Sequence, residues 1–181
     1  FGNKSFLPTV VMFTQEKSIL NNPAIKAGIK IITVPDDRWK RRDIKTTQLL
    51  AQSIAKSSAV QKGLDDSLLV QDGFINEGSS SNAFIIKDDH IYTPSLSKFI
   101  LGGITRSTVI EFCKTKNIQI KEQKIHVDDV MDAQEVFLTS ATGFVIPVIE
   151  IDGRPVGNGL VGDKVKEIQE IYLEQIKSKL S

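Results

Sequence analysis

The sequence has few of the residues that form disulfides or hold metal ions. Its single cysteine, Cys113, excludes an internal disulfide and fits a reduced compartment such as the cytoplasm. Its two histidines, His90 and His126, lie far apart and have no carboxylate or thiol companions at the spacing of metal ligands. We therefore expect a cytoplasmic protein without a metal site.

Strong net charge and long apolar runs are also missing. The formal net charge of the 181-residue chain is +1, which gives no reason to expect nucleic acid or an anionic membrane as a partner. The apolar runs are far shorter than a membrane span. With 40% hydrophobic and 25% charged residues, the composition is typical of a globular domain.

What is present is a dense pattern of short strands between a few helices. Strands are predicted at Thr9–Thr14, Gly28–Val34, Ser67–Gln71, Asn82–Lys87, His90–Thr93, Ile118–Glu122, Glu135–Thr139 and Val145–Ile151. Helices are predicted at Thr46–Lys62, Arg106–Lys116, Asp128–Asp132 and Lys164–Lys179. Because runs of consecutive strands outnumber the helices, we expect a mixed α/β domain with α+β character.

Particular residues define the boundaries of these elements. The first long helix is predicted as amphipathic from apolar residues at helical spacing, which are Leu49, Leu50, Ile54, Ala55 and Val60. Thr105 is the expected N-cap of the second long helix, and Asn117 closes it. Asp152-Gly153 predicts a hairpin between Val145–Ile151 and the residues from Arg154.

Lys45 follows a cationic run where the first long helix is predicted to begin. A cation there opposes the helix macrodipole, and the nearby Lys40, Arg41 and Arg42 favour the neutral form of the amine. A neutral lysine is a nucleophile that can form a Schiff base. The competing interpretation is an ordinary solvated lysine, which is the commoner case in a run of charges.

Glu77 is the one charged residue in the segment NEGSSSN, Asn76–Asn82. Its neighbours Ile75 and Phe84 predict partial burial, and a buried carboxylate needs a cationic or hydrogen-bonding partner. Glu77 is then either a turn residue of a Gly/Ser loop or a carboxylate that keeps a ring nitrogen protonated. A pyridoxal cofactor requires such a carboxylate to act as an electron sink.

Two loops are candidates for binding a phosphate. In the first, Gly102–Thr105, two glycines let a ligand approach the backbone, and free N–H groups at a helix start favour an anion. The second, Ser140–Gly143, follows the strand Glu135–Thr139. Each could be an ordinary turn, but together they would hold a phosphate from two sides. With Lys45 and Glu77 they make up the parts of a pyridoxal 5′-phosphate site.

The chain resembles the class IV, or fold-type IV, pyridoxal-phosphate aminotransferases. The resemblance is carried by motifs in the family's order: Arg38-Trp39 with Arg42–Lys45, Glu77–Asn82, Leu101–Arg106, Thr139–Thr142 and Pro147–Gly153. It extends from about Phe1 to the C-terminal helix. It implies the large cofactor domain of that family, a strand-rich pseudo-barrel with flanking helices, and a homodimer.

The resemblance also implies a role for each matching residue. Lys45 would carry the cofactor as a Schiff base and move a proton between the substrate Cα and the cofactor. Glu77 would pair with the pyridine nitrogen, Leu101 would pack against the ring face, and Arg38 would lie near the cofactor phenol oxygen. The phosphate would be bound by Ile104, Thr105, Ser140 and Ala141. Where relatives often have a second hydroxyl residue, Ala141 offers only its N–H.

Within the family, three activities remain open. The segment Asp43–Lys45 and the loop Ser79–Asn82 look most like D-amino acid transaminases, which exchange an amino group between D-alanine and a 2-oxo acid such as 2-oxoglutarate. Branched-chain aminotransferases more often show Gly-Asn-Tyr where this chain has Lys45–Thr47. Aminodeoxychorismate lyases share the cofactor site but release pyruvate by β-elimination.

Members of the family also carry a smaller N-terminal domain with most of the substrate-carboxylate contacts. Here we expect residues 1–20 to be a remnant of that domain, residues 21–27 the connection, and residues 28–181 the cofactor domain. A protein that lacked the smaller domain would bind the cofactor without transamination. An inactive pyridoxal-phosphate-binding protein is therefore the non-enzymatic alternative.

Overall fold

The computed structural model describes residues 9–16 and 21–180. Within this part of the chain the helices are α1 (Pro23–Ala27), α2 (Leu50–Val60), α3 (Ile104–Thr115), α4 (Val127–Met131) and α5 (Asp163–Leu180). The strands are β1 (Ile29–Pro35), β2 (Asp66–Gln71), β3 (Phe74–Gly78), β4 (Asn82–Lys87), β5 (His90–Thr93), β6 (Ile120–Glu122), β7 (Ile125–His126), β8 (Glu135–Ser140), β9 (Phe144–Ile151) and β10 (Arg154–Pro155).

The strands form one mixed sheet in the order β6-β5-β4-β8-β9-β1-β2-β3-β7, with β10 paired to β9. β1 is parallel to both β2 and β9, and β5 is parallel to β6, whereas the other pairs are antiparallel. β3 and β4 are separated in this order but contact each other, so the sheet curls into a half-barrel. The predicted mixed α/β fold with a strand-rich pseudo-barrel is confirmed.

The two faces of the curled sheet bury different side chains. In β4, Ala83 and Ile85 belong to an inner core, whereas Phe84 and Ile86 pack with residues of α3 and α5. Phe84 stacks on its cross-strand neighbour Phe137, with ring centroids 4.7 Å apart. Truncation of a buried Phe to Ala typically costs about 3–5 kcal/mol. Side chains on both faces of β4 and β8 are therefore packed in a core, which fixes the position of these strands.

The pairing of β2 with β3 contains a shift in register. Leu68 lies opposite Gly78, and Val70 lies opposite Ile75. Across this stretch β3 therefore has one residue more than β2. Asn76 and Glu77 lie in the part of β3 where the shift occurs.

The first long helix begins later than predicted. α2 begins at Leu50 rather than at Thr46. The Thr46 hydroxyl accepts a hydrogen bond from the Gln48 N–H at 3.2 Å, and such local bonds compete with helix formation. Lys45 therefore lies ahead of the helix. The sequence-based prediction that its charge opposes the helix macrodipole at the first turn is wrong.

The buried face of α2 also differs from the prediction. The residues buried on this helix are Ala55 and Ala59, and it packs on β2 through this narrow face of small side chains. All four of the larger apolar residues that predicted an amphipathic face are more than half exposed: Leu49, Leu50, Ile54 and Val60.

Two strand predictions need correction. Thr9–Thr14 lies in no strand, because no segment of the described residues pairs with it, and Val10 to Phe13 are at least 71% exposed. Conversely, β3 is a strand that the sequence pattern does not predict. It pairs with β2 across Asp72-Gly73, both at positive φ (53° and 80°), which makes a tight hairpin turn.

The other predicted helices and strands are present within two residues of their predicted ends. Asp152 and Gly153 have φ values of 52° and 75° and make the predicted hairpin turn between β9 and β10. Asn117, at φ 57°, follows α3 as expected. The short strand β7 is not predicted.

The predicted connection at residues 21–27 contains α1. The Asn22 side chain caps this helix by accepting from the Ala24 N–H at 3.1 Å, and Gln169 Nε2 donates to the Ile25 carbonyl at 2.8 Å. The segment thus packs on α5 and β9. Residues 1–8 and 17–20, which fall in the predicted remnant, lie outside the described residues, so the domain boundaries stay a prediction.

Every helix of the described residues is too short or too polar to span a lipid bilayer. The same residues contain no group of three or more His, Cys, Asp or Glu side chains placed to hold a metal ion.

Candidate active site

One cavity of about 540 Å³ collects residues from four separate segments. Its volume lies within the range of roughly 300–1,000 Å³ that is typical of small-molecule sites. The segments follow β1, join β3 to β4, begin α3 and follow β8. All of the site residues that the sequence predicts line this cavity: Arg38, Lys45, Glu77, Leu101, Ile104, Thr105, Ser140 and Ala141.

Glu77 is buried at the end of β3 and both oxygens of its carboxylate accept hydrogen bonds. Oε1 accepts from Arg38 Nη1 at 2.5 Å, Oε2 accepts from Asn82 Nδ2 at 3.0 Å, and the Leu101 N–H lies 3.2–3.3 Å from both oxygens. Burial raises the pKa of Glu77, and Arg38 and the Leu101 N–H only partly oppose this rise. The carboxylate is therefore held in one orientation and has a raised affinity for a proton.

Arg38 connects Glu77 to a second buried carboxylate, Asp36. Arg38 Nε and Nη2 donate to Asp36 Oδ1 and Oδ2, each at 2.8 Å, while Nη1 donates to Glu77. Burial acts to raise the pKa of Asp36, but the hydrogen bonds and charge of Arg38 outweigh it and the net shift is downward. The three guanidinium nitrogens of Arg38 thus all serve carboxylates. Its predicted place near the cofactor phenol oxygen stays a prediction.

Sequence reasoning missed Asp36, although a signal was present. Asp36 follows the predicted strand Gly28–Val34 and Pro35, where the Pro-Asp-Asp run reads as a strand stop. Ligands of α/β sheets often bind beyond the carboxyl ends of parallel strands, and β1 is parallel to its neighbours β2 and β9.

The N-terminus of α3 presents unused hydrogen-bond donors to the cavity. Gly103, not Thr105, is the N-cap, and it makes no side-chain cap. The predicted capping role of Thr105 is therefore wrong. Thr105 lies in the first turn, is 3% exposed, and its hydroxyl has no partner among the described residues. A first helical turn with unpaired N–H groups, plus a buried hydroxyl, is a site for an anion.

The loop after β8 borders the same cavity. Ser140 Oγ accepts from the Gly143 N–H at 3.0 Å, which tightens the turn, and Ala141 is exposed. Thr139, which sequence reasoning did not select, has a buried hydroxyl without a partner in the described residues. Thr139 and Thr105, each with a buried hydroxyl that has no partner in the described residues, both line this cavity.

Asn82 joins the carboxylate to the glycine loop and was also missed. Its Nδ2 donates to Glu77 Oε2 and, at 2.8 Å, to the Leu101 carbonyl. A Cβ atom on Gly103 would lie 2.2 Å from Asn82 Oδ1, whereas one on Gly102 would meet nothing closer than Leu96 at 3.6 Å. Gly103 is thus required by the position of Asn82.

The serine run after Glu77 is ordered. Ser79 is 4% exposed, its hydroxyl makes a short hydrogen bond to Asp66, and its N–H donates to the Ser67 carbonyl at 3.0 Å. The Gly78 N–H donates to the Ser81 carbonyl at 2.7 Å. The segment is a tight backbone passage along the cavity wall rather than a flexible linker.

Lys45 is exposed at the edge of the cavity, in the irregular segment before α2. Within the described residues it makes no hydrogen bond or ion pair, in contrast to its neighbours Arg41 and Asp43, which bind each other. The amine is therefore available to a ligand in the cavity.

The family model described as "Amino-transferase class IV" matches residues 1–151. The chain belongs to the class IV aminotransferases. The predicted family is thereby confirmed, and because class IV aminotransferases depend on pyridoxal 5′-phosphate, the predicted enzyme class and cofactor are confirmed at the level of the family.

Curated relatives of this class IV aminotransferase chain include D-alanine aminotransferases. The chain is 38% identical over 151 residues to the protein of Bacillus licheniformis, covering 83% of this chain and 53% of the relative. It is 39% identical over 154 residues to the protein of Staphylococcus aureus (strain COL), covering 85% and 55%. The chain thus spans about half the length of these relatives.

Solved structures similar to this chain include branched-chain amino acid aminotransferases. The enzyme from T.th. with pyridoxamine 5′-phosphate matches with a TM-score of 0.79 and 31% identity, over 88% of this chain and 54% of that one. The same enzyme complexed with N-(5′-phosphopyridoxyl)-L-glutamate matches with a TM-score of 0.75 and 32% identity, over 83% and 52%.

Proposed function

We propose that this chain is the cofactor-binding part of a D-amino acid transaminase. The enzyme exchanges an amino group between a D-amino acid such as D-alanine and a 2-oxo acid such as 2-oxoglutarate. The observation that carries the proposal is one cavity in which the buried carboxylate of Glu77, the unpartnered hydroxyl of Thr105 and the amine of Lys45 are brought together. The similarity to D-alanine aminotransferases supports the choice of substrate.

The chemistry of the cavity fits pyridoxal 5′-phosphate. The buried hydroxyls of Thr105 and Thr139 lack partners in the described residues, and a phosphate group supplies the acceptors that they need. With the N–H groups of Ile104, Thr105, Ser140 and Ala141 they would hold that group. When bound, the cofactor supplies an electron sink for the bonds to the substrate Cα.

Glu77 and Lys45 have different chemical roles in this proposal. Glu77 keeps a proton at the ring nitrogen, because its hydrogen bonds fix the carboxylate and its negative charge favours the protonated ring. Lys45 provides the amine that binds the cofactor covalently and moves a proton at the substrate Cα. Leu101 would lie against the ring, held in place by its N–H bond to Glu77.

Branched-chain aminotransferase is the second candidate, because a solved structure of that activity superposes on this chain with a TM-score of 0.79 at 31% identity. Aminodeoxychorismate lyase and an inactive cofactor-binding protein are the further alternatives. A homodimer and a cytoplasmic location remain predictions.

Borohydride trapping tests the role of Lys45. After incubation with pyridoxal 5′-phosphate and reduction, peptide mass spectrometry is expected to find the cofactor on Lys45. Lys45→Ala should abolish the labelling, whereas Lys40→Ala, at an exposed position outside the cavity, should not. Labelling that persists in Lys45→Ala would refute this role.

Substrate trials decide among the activities. D-alanine, L-leucine and aminodeoxychorismate are offered separately to the wild-type protein, and product formation is followed. We expect turnover of D-alanine in the presence of 2-oxoglutarate. Turnover of L-leucine alone would replace the proposal by the branched-chain activity, and binding without any turnover would leave an inactive cofactor-binding protein.

A further inference from the structure

A cluster of four buried charged side chains lies at one wall of the cavity. Asp36 and Glu77 supply two negative charges, and Arg38 and Arg42 supply two positive charges. Arg38 lies 2.8 Å from Asp36 and 2.5 Å from Glu77, and Arg42 Nη1 lies 3.4 Å from Asp36 Oδ2. The side chains are 0–7% exposed. Charges buried this deeply must compensate one another.

Asp36 is fixed from several directions but does not line the cavity. Its N–H donates to the Val70 carbonyl at 2.8 Å, and Asn76 Nδ2 donates to Oδ2 at 2.8 Å. Arg38 adds its two bonds, which makes the carboxylate the most constrained group of the cluster. Because Asp36 is absent from the cavity wall, it acts on a ligand through the arginines that it binds, Arg38 and Arg42, which do line the cavity.

We propose that Asp36 is a positioning residue for the cofactor ring. It holds the guanidinium of Arg38 so that one nitrogen meets Glu77, and its negative charge offsets that of Arg38, so that the cation opposes a protonated ring nitrogen less. This inference rests on the proposed function, in which Glu77 keeps a proton at the ring nitrogen.

Geometry and charge both support this role. A guanidinium is a planar, rigid fork, so engaging Nε and Nη2 with Asp36 fixes the direction of Nη1 toward Glu77. Burial raises the pKa of Glu77, Arg38 lowers it, and the charge of Asp36 raises it. Without that charge, the whole positive charge of Arg38 would act on Glu77 and on a ring nitrogen bonded to it. The proton there would be held less firmly.

The test compares Asp36→Asn with Asp43→Asn. Asp43 makes the same two-bond contact with Arg41, also two residues away, but on the surface and off the cavity wall. Each protein is loaded with pyridoxal 5′-phosphate labelled with ¹⁵N in the ring. The dissociation constant of the cofactor is measured by equilibrium dialysis, and the protonation of the ring nitrogen is read from its ¹⁵N chemical shift.

For Asp36→Asn we expect cofactor binding about tenfold weaker, the effect of losing one charged hydrogen-bonding partner. We also expect a ¹⁵N signal displaced toward the position of the unprotonated ring. Asp43→Asn should match the wild type in both. A merely structural counter-ion would alter thermal stability but leave the ¹⁵N shift unchanged. An unchanged shift in Asp36→Asn therefore overturns the proposal.

Two further measurements keep the result decisive. If Asp36→Asn cannot be purified in folded form, Asn76→Ala is used instead, because it removes a hydrogen bond to Asp36 without changing any charge. This variant should bind the cofactor about threefold more weakly. Unchanged affinity would then overturn the proposal. Glu77→Gln and the wild type report on the proposed function itself. If the wild type does not bind the cofactor, or Glu77→Gln leaves the ¹⁵N shift unaltered, the assigned role of Glu77 fails independently of Asp36.

Discussion

Two Asp and Arg pairs lie within eight residues of one another and share one geometry. Arg38 binds Asp36 through Nε and Nη2 at 2.8 Å each, and Arg41 binds Asp43 through the same two nitrogens at 2.9 and 2.8 Å. The first pair has side-chain exposures of 7% and 0%, the second of 54% and 36%. The buried arginine continues to Glu77, whereas the exposed pair has no third ionic partner among the described residues.

The comparison shows that local geometry does not decide what an ion pair does. In both pairs the arginine lowers the pKa of its aspartate: through a direct hydrogen bond for Asp43, and against the opposing effect of burial for Asp36. Exposed pairs contribute little because water screens and replaces them. A buried pair cannot lose one member without leaving a charge uncompensated, and here the third partner links the pair to the cavity.

Arg38→Gln, which removes the cation of the buried pair, is expected to have the largest effect on stability. It leaves Asp36 and Glu77 buried without the cation between them, so we expect a loss of about 3–5 kcal/mol in the free energy of unfolding. Urea denaturation measures this loss. Arg41→Gln is the matched control and should leave the denaturation midpoint unchanged. Equal effects of the two substitutions would contradict the distinction between the pairs.

Glu77→Gln tests the third partner of the buried pair. The amide keeps the shape of the side chain but removes the charge proposed to hold the ring proton. We expect kcat for the D-alanine reaction to fall by roughly 10²–10³, the usual effect of removing one preorganised electrostatic group. Glu150→Gln, which removes a partly exposed partner of Lys30 away from the cavity, should leave kcat unchanged. A fall of less than about threefold in Glu77→Gln would contradict its proposed role.

Gly103→Ala tests the geometry around Glu77 without changing any charge. The added methyl group would meet Asn82 Oδ1 at 2.2 Å and displace the side chain that donates to Glu77. We expect about tenfold weaker cofactor binding, as overpacking commonly costs 1–3 kcal/mol. Gly102→Ala, with its nearest neighbour at 3.6 Å, is the control and should bind normally. Similar affinities of the two variants would rule out the proposed crowding of Asn82.

The pH dependence of stability gives the smallest effect. The pKa of Asp36 is lower in the folded protein than in the unfolded chain, so its stabilising contribution is present above about pH 4, the unfolded value, and is lost as the pH falls through the folded value. Asp36→Asn should flatten the acid side of the stability curve, measured by urea denaturation between pH 3 and 7. The pKa of Glu77 is higher in the folded protein than in the unfolded chain. Its contribution to stability is therefore present at low pH and is lost as the pH rises through the folded value. An acid limb as steep as that of the wild type would contradict the prediction for Asp36.

The parts of the site that the sequence predicts are those with local signals. Lys45 stands in a cationic run, Glu77 is a lone charge between apolar pairs, and two glycines precede Ile104 and Thr105. Ile104 and Thr105 lie at the start of α3, within two residues of the limit that the periodicity of apolar residues predicts. Lys45 and Glu77 are predicted from residue type alone, because the pattern gives neither the start of α2 nor β3.

The remaining parts depend on contacts between distant segments. Arg38 meets Glu77 across 39 positions of the chain, and Asn76 meets Asp36 across 40; no periodic pattern encodes such a pair. The buried face of α2 was mispredicted for the same reason. Packing on β2 selects Ala55 and Ala59 over larger side chains, and the pattern of apolar residues does not contain that choice.

The extra residue in β3 makes the length of this strand important for the cluster. In a regular strand Asn76 and Glu77 would face opposite sides of the sheet, yet Asn76 binds Asp36 and Glu77 binds Arg38, both in one cluster. The shift in register makes this possible. Shortening β3 by one residue would turn one of the two away even if every side chain were retained. Evolution or a protein engineer can therefore exchange residues in this strand more safely than delete one.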